Sequence, residues 1–231
     1  MKIGVLSDIH GNYAALQAVL NEAKSLGIEH WFVLGDVVGY YYHVDLVIDA
    51  LAGLSHELIR GNHEEMLGRA LEDPSAAQAI KDRYGSGIEL ALKMLPAGTI
   101  RNLISLPEGK MVDYDGVRFQ LCHGAPWDST VYLYPDSSTQ LFDRCLTGES
   151  HFVLVGHSHY PFVYANEQGV LANVGSVGQA RDKGGFASWA MISTANRSLV
   201  FRRTPYNQNK LIAEVAAIDP HLPYLRDVLS R

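Results

Sequence analysis

The sequence predicts an α/β protein whose first quarter is a parallel sheet with helical crossovers and whose second half is rich in strands. Three observations predict it. Short apolar runs alternate with helical patterns over residues 2–60. Turn dipeptides such as Asp115-Gly116 divide later apolar runs into hairpins. Several of the apolar runs end in a glycine beside a polar residue, the mark of a strand that turns sharply.

In chain order, residues 2–6 form the first strand and end in Ser7-Asp8-Ile9-His10-Gly11-Asn12. In extended chain Asp8 and His10, two residues apart, leave the same face. Asn12 is the N-cap of a helix carrying Leu16, Val19, Leu20, Ala23 and Leu26, which Gly27 ends. His30 to Leu34 is the second strand, broken by Gly35-Asp36. A helix over Val44 to Leu51 follows, then a third strand, His56 to Arg60, ending in Gly61-Asn62-His63-Glu64. Residues 64–106 are helical, with Ile80, Tyr84, Ile88, Leu92 and Leu95 on one stripe interrupted by Gly85-Ser86-Gly87. With no second sheet to pack on, this segment reads as an insertion or lid within a single domain of 231 residues.

Met111 to Tyr114 and Val117 to Cys122 make a hairpin, and a loop with Trp127 and Tyr132 leads to a helix from Ser138 to Cys145. His151 to Val155 is an apolar strand ending in Gly156-His157-Ser158-His159. Two strands flank residues 166–169, a Gly-rich loop spans 173–185, and two more strands flank residues 194–196. Helical segments near 208–217 and 222–230 form the tail.

A chain of 231 residues with 47% hydrophobic and 19% charged residues is ordinary for a globular protein. A net charge of -6 argues against a general binder of duplex nucleic acid. It leaves nucleotide-like substrates open, because bound metal ions supply local positive charge. Two cysteines, Cys122 and Cys145, are too few for a disulfide framework, and no leader-like start or membrane-spanning apolar run is present. A cytoplasmic protein that needs no membrane is expected, with homo-oligomerisation left open.

Five strands end in metal-ligand chemistry: Asp8 with His10, Asp36, Asn62 with His63, His123, and His157 with His159. Ligands gather beyond the carboxyl ends of strands in α/β sheets. Of ten histidines, His30, His56 and His151 begin strands at the opposite end, His221 is in the tail and His43 begins a helix. Any single loop histidine is explained as readily by solvent exposure. Five groups in the same structural position are not. Nitrogen and oxygen ligands without thiolate suit Mn, Fe, Zn or similar ions, and the set exceeds what one ion needs. Cys122 should point away from His123 into the core.

The ordered set Asp8-x-His10, Gly35-Asp36, Gly61-Asn62-His63-Glu64, His123 and Gly156-His157-Ser158-His159 resembles the calcineurin-like metallophosphoesterase superfamily, over residues 1 to about 203. Asp8-Ile9-His10-Gly11-Asn12 and Gly175-Ser176-Val177-Gly178-Gln179 look like its small prokaryotic branch of YfcE-type phosphodiesterases. The resemblance implies a four-layer α/β/β/α sandwich of two mixed sheets and two divalent or trivalent ions (Mn, Fe, Zn, Ni or Mg). Asp8, His10, Asp36 and His159 would hold the first ion. Asp36, Asn62, His123 and His157 would hold the second, with Asp36 bridging. It further implies hydrolysis of a small phosphoester by a metal-bridging hydroxide, with His63 protonating the leaving oxygen.

Departures narrow the substrate. Gly35-Asp36-Val37-Val38-Gly39-Tyr40 lacks the second aspartate and the arginine of protein phosphatases. Glu64 stands where many relatives of the small branch have aspartate, and Val174 where they have proline. Phosphomonoesterase, protein phosphatase and nucleotide pyrophosphohydrolase are the alternative activities; a scaffold without chemistry is a further one. On the substrate side, Tyr40, Tyr41, Tyr42 and His43 either line the cleft or pack beneath the helical segment. Tyr41, His43 and the potential phosphate ligand Arg181 are the substrate-side candidates. Trp127 and Tyr132 could stack on a base, with core packing the default.

Overall fold

A computed structural model describes residues 1–231. The first sheet is built on β1 (Lys2–Leu6), β2 (His30–Val33) and β3 (His56–Leu58), which run parallel; α1 (Tyr13–Ala23) and α2 (Val44–Ala52) are the crossovers. Helices α3 (Asn62–Glu72), α4 (Pro74–Tyr84), α5 (Gly87–Met94) and α6 (Ala97–Ile104) follow. The second sheet comprises β4 (Gly109–Tyr114), β5 (Val117–Cys122), β6 (Phe152–Val155), β7 (Phe162–Asn166) and β8 (Gly169–Asn173), with α7 (Thr139–Cys145) between β5 and β6. The chain then returns to the first sheet as the hairpin β9 (Phe186–Ser193) and β10 (Ser198–Pro205), and ends in α8 (Asn209–Ile218) and α9 (Tyr224–Asp227). Strand orders are β10-β9-β1-β2-β3 and β4-β5-β6-β8-β7, and both sheets are mixed.

Strand periodicity dictates the layering. From the first sheet Ile3, Val5, Phe32, Ala190 and Ile192 face Val117, Phe119, Leu121, Phe152 and Leu154 of the second, closing a dry core between the sheets. The alternate residues Leu6, Trp31, Val33 and Trp189 pack outward against helices. On the far side Val153, Val155 and Leu171 bury Phe142 and Cys145 of α7. The result is the expected α/β/β/α sandwich.

The helical middle packs as an extension of the outer layer. Leu67, Ile80, Ile88, Ala91, Ile100 and Leu103 share one core with Val37, Val47 and Leu51. The predicted stripe breaks at Gly85, whose φ of 87° ends α4. Asp219 from the tail accepts from both the Ser86 amide and its hydroxyl, at 2.9 and 2.7 Å. The tail buries Leu211, Val215, Leu225 and Leu229 against Tyr40, Tyr41 and Tyr42. No helix is long and apolar enough to cross a membrane.

Candidate metal centre

Four strands of the two sheets, β1, β2, β5 and β6, are parallel partners within their sheets and deliver the loops 7–12, 35–42, 123–132 and 156–160 to one end. β3 adds Asn62 and His63 at the start of α3. The loops are tied to each other by backbone bonds: Asp8 N donates to Gly35 O, His10 N to Asp36 O and Gly178 N to Asp8 O. Gly156 is required where these loops meet. A Cβ there would lie 1.9 Å from Ser7 Oγ and 2.6 Å from Asp8 Oδ2.

Backbone strain is concentrated at this end. Of eight non-glycine residues with positive φ, five are the ligand candidates Asp8, His10, Asp36, His157 and His159, and a sixth is Tyr40. Each such residue costs about 1–3 kcal/mol, and the cost is borne where function requires the geometry. This corrects the extended-chain argument for Asp8 and His10. With φ of 54° and 51° they lie in left-handed turns, and those turns bring the two side chains together.

The ligand atoms form three overlapping triads: Asp8, His10 and His159; His10, Asp36 and His63; Asp36, His123 and His157. Within each, ligand atoms lie within 4.8 Å of one another. His159 Nε2 is 3.2 Å from Asp8 Oδ1, and His123 Nε2 is 3.3 Å from Asp36 Oδ2 and 3.0 Å from Asn62 Oδ1. Asp36 belongs to two of the triads.

The hydrogen bonds around the centre test whether metal ions fit it. His10, His123 and His159 place Nδ1 at 3.0, 2.7 and 2.7 Å from the carbonyls of Val38, Leu34 and Gln179. A carbonyl only accepts, so Nδ1 carries the proton and Nε2 turns a lone pair inward. His10 Nε2 and His159 Nε2 then face each other at 3.2 Å with no proton between them. Asp8 Oδ2 accepts from Ser7 Oγ and from His157 N, whereas its buried Oδ1 has no partner. Inward lone pairs and an orphaned carboxylate oxygen are what cations satisfy, so the residues fit metal ions.

Electrostatics agree. Burial opposes ionisation of Asp36, but His123 and His63 outweigh it and hold the carboxyl well below its usual range. Burial likewise works to discharge His123, yet Asp36 overrides it and pushes the imidazole up to about 10. That proton occupies a place a metal would take. Burial and the His123 charge push His157 down to about 4.

His63 is buried and stands apart in how it is held. Its ring meets His10 at 4.6 Å, Tyr40 at 4.7 Å and Tyr84 at 5.5 Å, and Nδ1 has no hydrogen-bond partner. Nε2 is 4.0 Å from Asp36 Oδ2.

The substrate-side candidates separate. Arg181 lies at the centre's rim, with Nη2 3.3 Å from Tyr40 Oη and 3.4 Å from Gln179 Oε1, both neutral oxygens. Tyr41 does not line the centre: it is fully buried and its hydroxyl donates to Leu225 O in the tail. His43 caps the start of α2 and faces Glu214 of α8 at 2.9 Å. Both point toward the tail because Tyr40, with φ of 48°, turns the loop so that only its own ring meets the histidines. Trp127 carries the Arg144 guanidinium 3.8 Å over its ring and packs with the α7 layer. The histidines at strand starts have local partners, His30 on Ser55 and Tyr114, His56 on Leu54 O and His151 on the Arg118 amide. Burial pushes the Cys122 thiol up to about 12, as suits a core residue.

Glu64 has a larger role than its sequence suggested. Its fully buried carboxylate accepts from the amides of Asp36, Val37 and Gly61 at 2.8 Å and of Val38 at 3.2 Å, fastening the β2 loop to the start of α3. Burial and the Asp36 charge push it up to about 7, while the amides of Gly61 and Asp36 hold it back. Glu64→Gln leaves two of these N–H groups facing an amide NH2. A loss of about 2–5 kcal/mol is expected from two buried unsatisfied donors, read as a drop in the urea midpoint. A midpoint within error of the parent would show that the two disrupted bonds contribute nothing to stability.

This fold and site define a class: a two-sheet α/β protein with a buried nitrogen and oxygen cage for metal ions at its strand ends. A family model, the calcineurin-like phosphoesterase superfamily domain, matches residues 1–197. The chain belongs to that superfamily. An uncharacterised protein of Methanocaldococcus jannaschii is 30% identical over 92% of this chain and 91% of its own. A metallophosphoesterase of Sphaerobacter thermophilus superposes with a TM-score of 0.79 at 25% identity, over 99% of both chains. The phosphoesterase Yfce of E. coli shares the fold with a TM-score of 0.50, at 19% identity over 90% of this chain and 100% of its own.

Proposed function

We propose that the chain is a dinuclear metal-dependent phosphodiesterase acting on small phosphoesters. The observation that carries this reading is Asp36, whose carboxylate joins the triad with His10 and His63 to the one with His123 and His157. Asp8, His10, Asp36 and His159 would hold one ion, and Asp36, Asn62, His123 and His157 the other. Ions there, manganese among the candidates, would neutralise a phosphoryl group and lower the pKa of a water toward neutrality.

The chain's own residues do the rest. The Val38, Leu34 and Gln179 carbonyls fix three imidazoles in the tautomer that presents Nε2. His63, whose Nε2 faces Asp36 Oδ2 at 4.0 Å, would deliver a proton to the leaving oxygen. Arg181 makes its contacts only with neutral oxygens and is free to take a phosphate oxygen. One guanidinium suits a monoanionic diester better than a dianionic monoester. Two buried free cysteines support a reducing, cytoplasmic setting.

Metal-reconstituted protein should hydrolyse bis(p-nitrophenyl) phosphate with at least one of Mn, Ni, Fe and Mg, and chelation should abolish the rate. No turnover with any of them, together with no bound metal by elemental analysis, would sink the reading.

A further inference from the structure

Beyond the ligand set stand two exposed aromatic side chains that the phosphoester reading does not use. Tyr132 lies on His157 with ring centroids 3.9 Å apart and planes 29° apart. Tyr134 continues the wall, 5.8 Å from Tyr132 and within 6° of parallel. They are 45% and 37% exposed, so part of each ring is open to an arriving ligand. Tyr40, Tyr84 and Tyr224 form a second aromatic group beside the histidines, with Tyr40 6.1 and 6.3 Å from the other two and 4.5 Å from His10. Arg181 stands beside Tyr40, with Nη2 3.3 Å from its hydroxyl.

We propose that Tyr132 and Tyr134 are a stacking platform for the nucleobase of a nucleotide-type phosphoester. The inference rests on the phosphoester reading of the centre and names its substrate class. An aromatic face binds any base through its π surface. Tyr132 already covers the His157 ring, so an arriving ring meets the exposed surface of Tyr132 and Tyr134 beyond His157, a position that suits a base carried one sugar away from the phosphoryl group. The loop leading to the platform is tied down: Asp128 Oδ1 accepts from the amide and hydroxyl of Thr130, and Thr130 O lies 3.2 Å from His157 Nε2. Little order has to be imposed when a base arrives.

The test is calorimetric titration of the manganese-loaded full chain with two non-hydrolysable probes. They are monoanionic phosphinates, with carbon in place of both bridging oxygens, that mimic the methyl diesters of adenosine 5′-monophosphate and of ribose 5-phosphate and differ by the base. The base-bearing probe should bind about tenfold more tightly, as stacking on an aromatic side chain predicts. Tyr132→Ala should erase most of that preference and Tyr132→Phe should keep it. Because Tyr132 also touches His157, Tyr134→Ala is the second variant, with a partial loss of preference expected. Equal affinities for the two probes in the parent protein, or a preference that survives both alanine variants, would overturn the platform. Turnover is not read. A protein that hydrolyses diesters but ignores the base loses the platform alone, and one that prefers the base but hydrolyses nothing loses the hydrolase reading alone.

Discussion

Asp36→Asn should, on the dinuclear phosphodiesterase proposal, reduce bound metal from two ions per chain to one or fewer and lower turnover by about 10³-fold or more. The exchange is close to isosteric and suits the backbone, since asparagine is among the few residues that adopt the left-handed region readily and Asp36 has φ of 54°. Its side-chain oxygen can still accept from His63 N, as Asp36 Oδ1 does at 2.8 Å. What is lost is one negative charge that His10, His63 and His123 face at 3.8, 4.0 and 3.3 Å. Removing the shared anion weakens both sets of ligands at once. Electrostatic stabilisation of several kcal/mol in the transition state is thereby forfeited, and each 1.36 kcal/mol is worth about tenfold in rate. Elemental analysis of dialysed protein beside rates on bis(p-nitrophenyl) phosphate checks both parts. Two ions retained, with a rate within tenfold of the parent, would remove Asp36 from the bridging position.

Much of this centre was legible because five strands end in ligand-type residues, and strand polarity decides which end of a sheet those residues share. The same polarity put His30, His56 and His151 at the other end, where they bond locally. What the linear pattern could not carry was the direction of individual side chains. In a run of three tyrosines, only the positive φ at Tyr40 and the tail's capture of the Tyr41 and Tyr42 hydroxyls by Leu225 O and Asp219 decide which ring faces the histidines. The tail lies nearly two hundred residues away, so no local signal could announce it. Glu64 read as a spelling variant because a carboxylate gives no hint that four amides will converge on it. The carbonyls that orient the imidazoles are invisible for the same reason, as every residue has one. The helical middle showed its apolar stripe but not its partner, and a stripe with no visible partner looks like a lid.

The second large effect is expected at His63. His63→Ala should lower kcat by about 10²–10⁴-fold, the usual contribution of a positioned acid, while both metal ions stay bound. The ring is fixed by packing: aromatic neighbours meet it on three sides, and Nδ1 is sealed against Gly39, where a Cβ would sit 2.0 Å away. Nε2 is left to face the centre. Burial holds the free imidazole below its ordinary range although Asp36 pulls the other way, and an arriving phosphoester anion favours the protonated form. The leaving group then separates an acid from a ligand. A p-nitrophenolate departs without help, so His63→Ala should lose far less on bis(p-nitrophenyl) phosphate than on a diester with an alkoxide leaving group, which must be protonated. A ligand's removal would instead depress both rates alike and release metal. Equal losses on the two substrates with metal content reduced would therefore move His63 into the ligand set, and with it the triad it forms with His10 and Asp36.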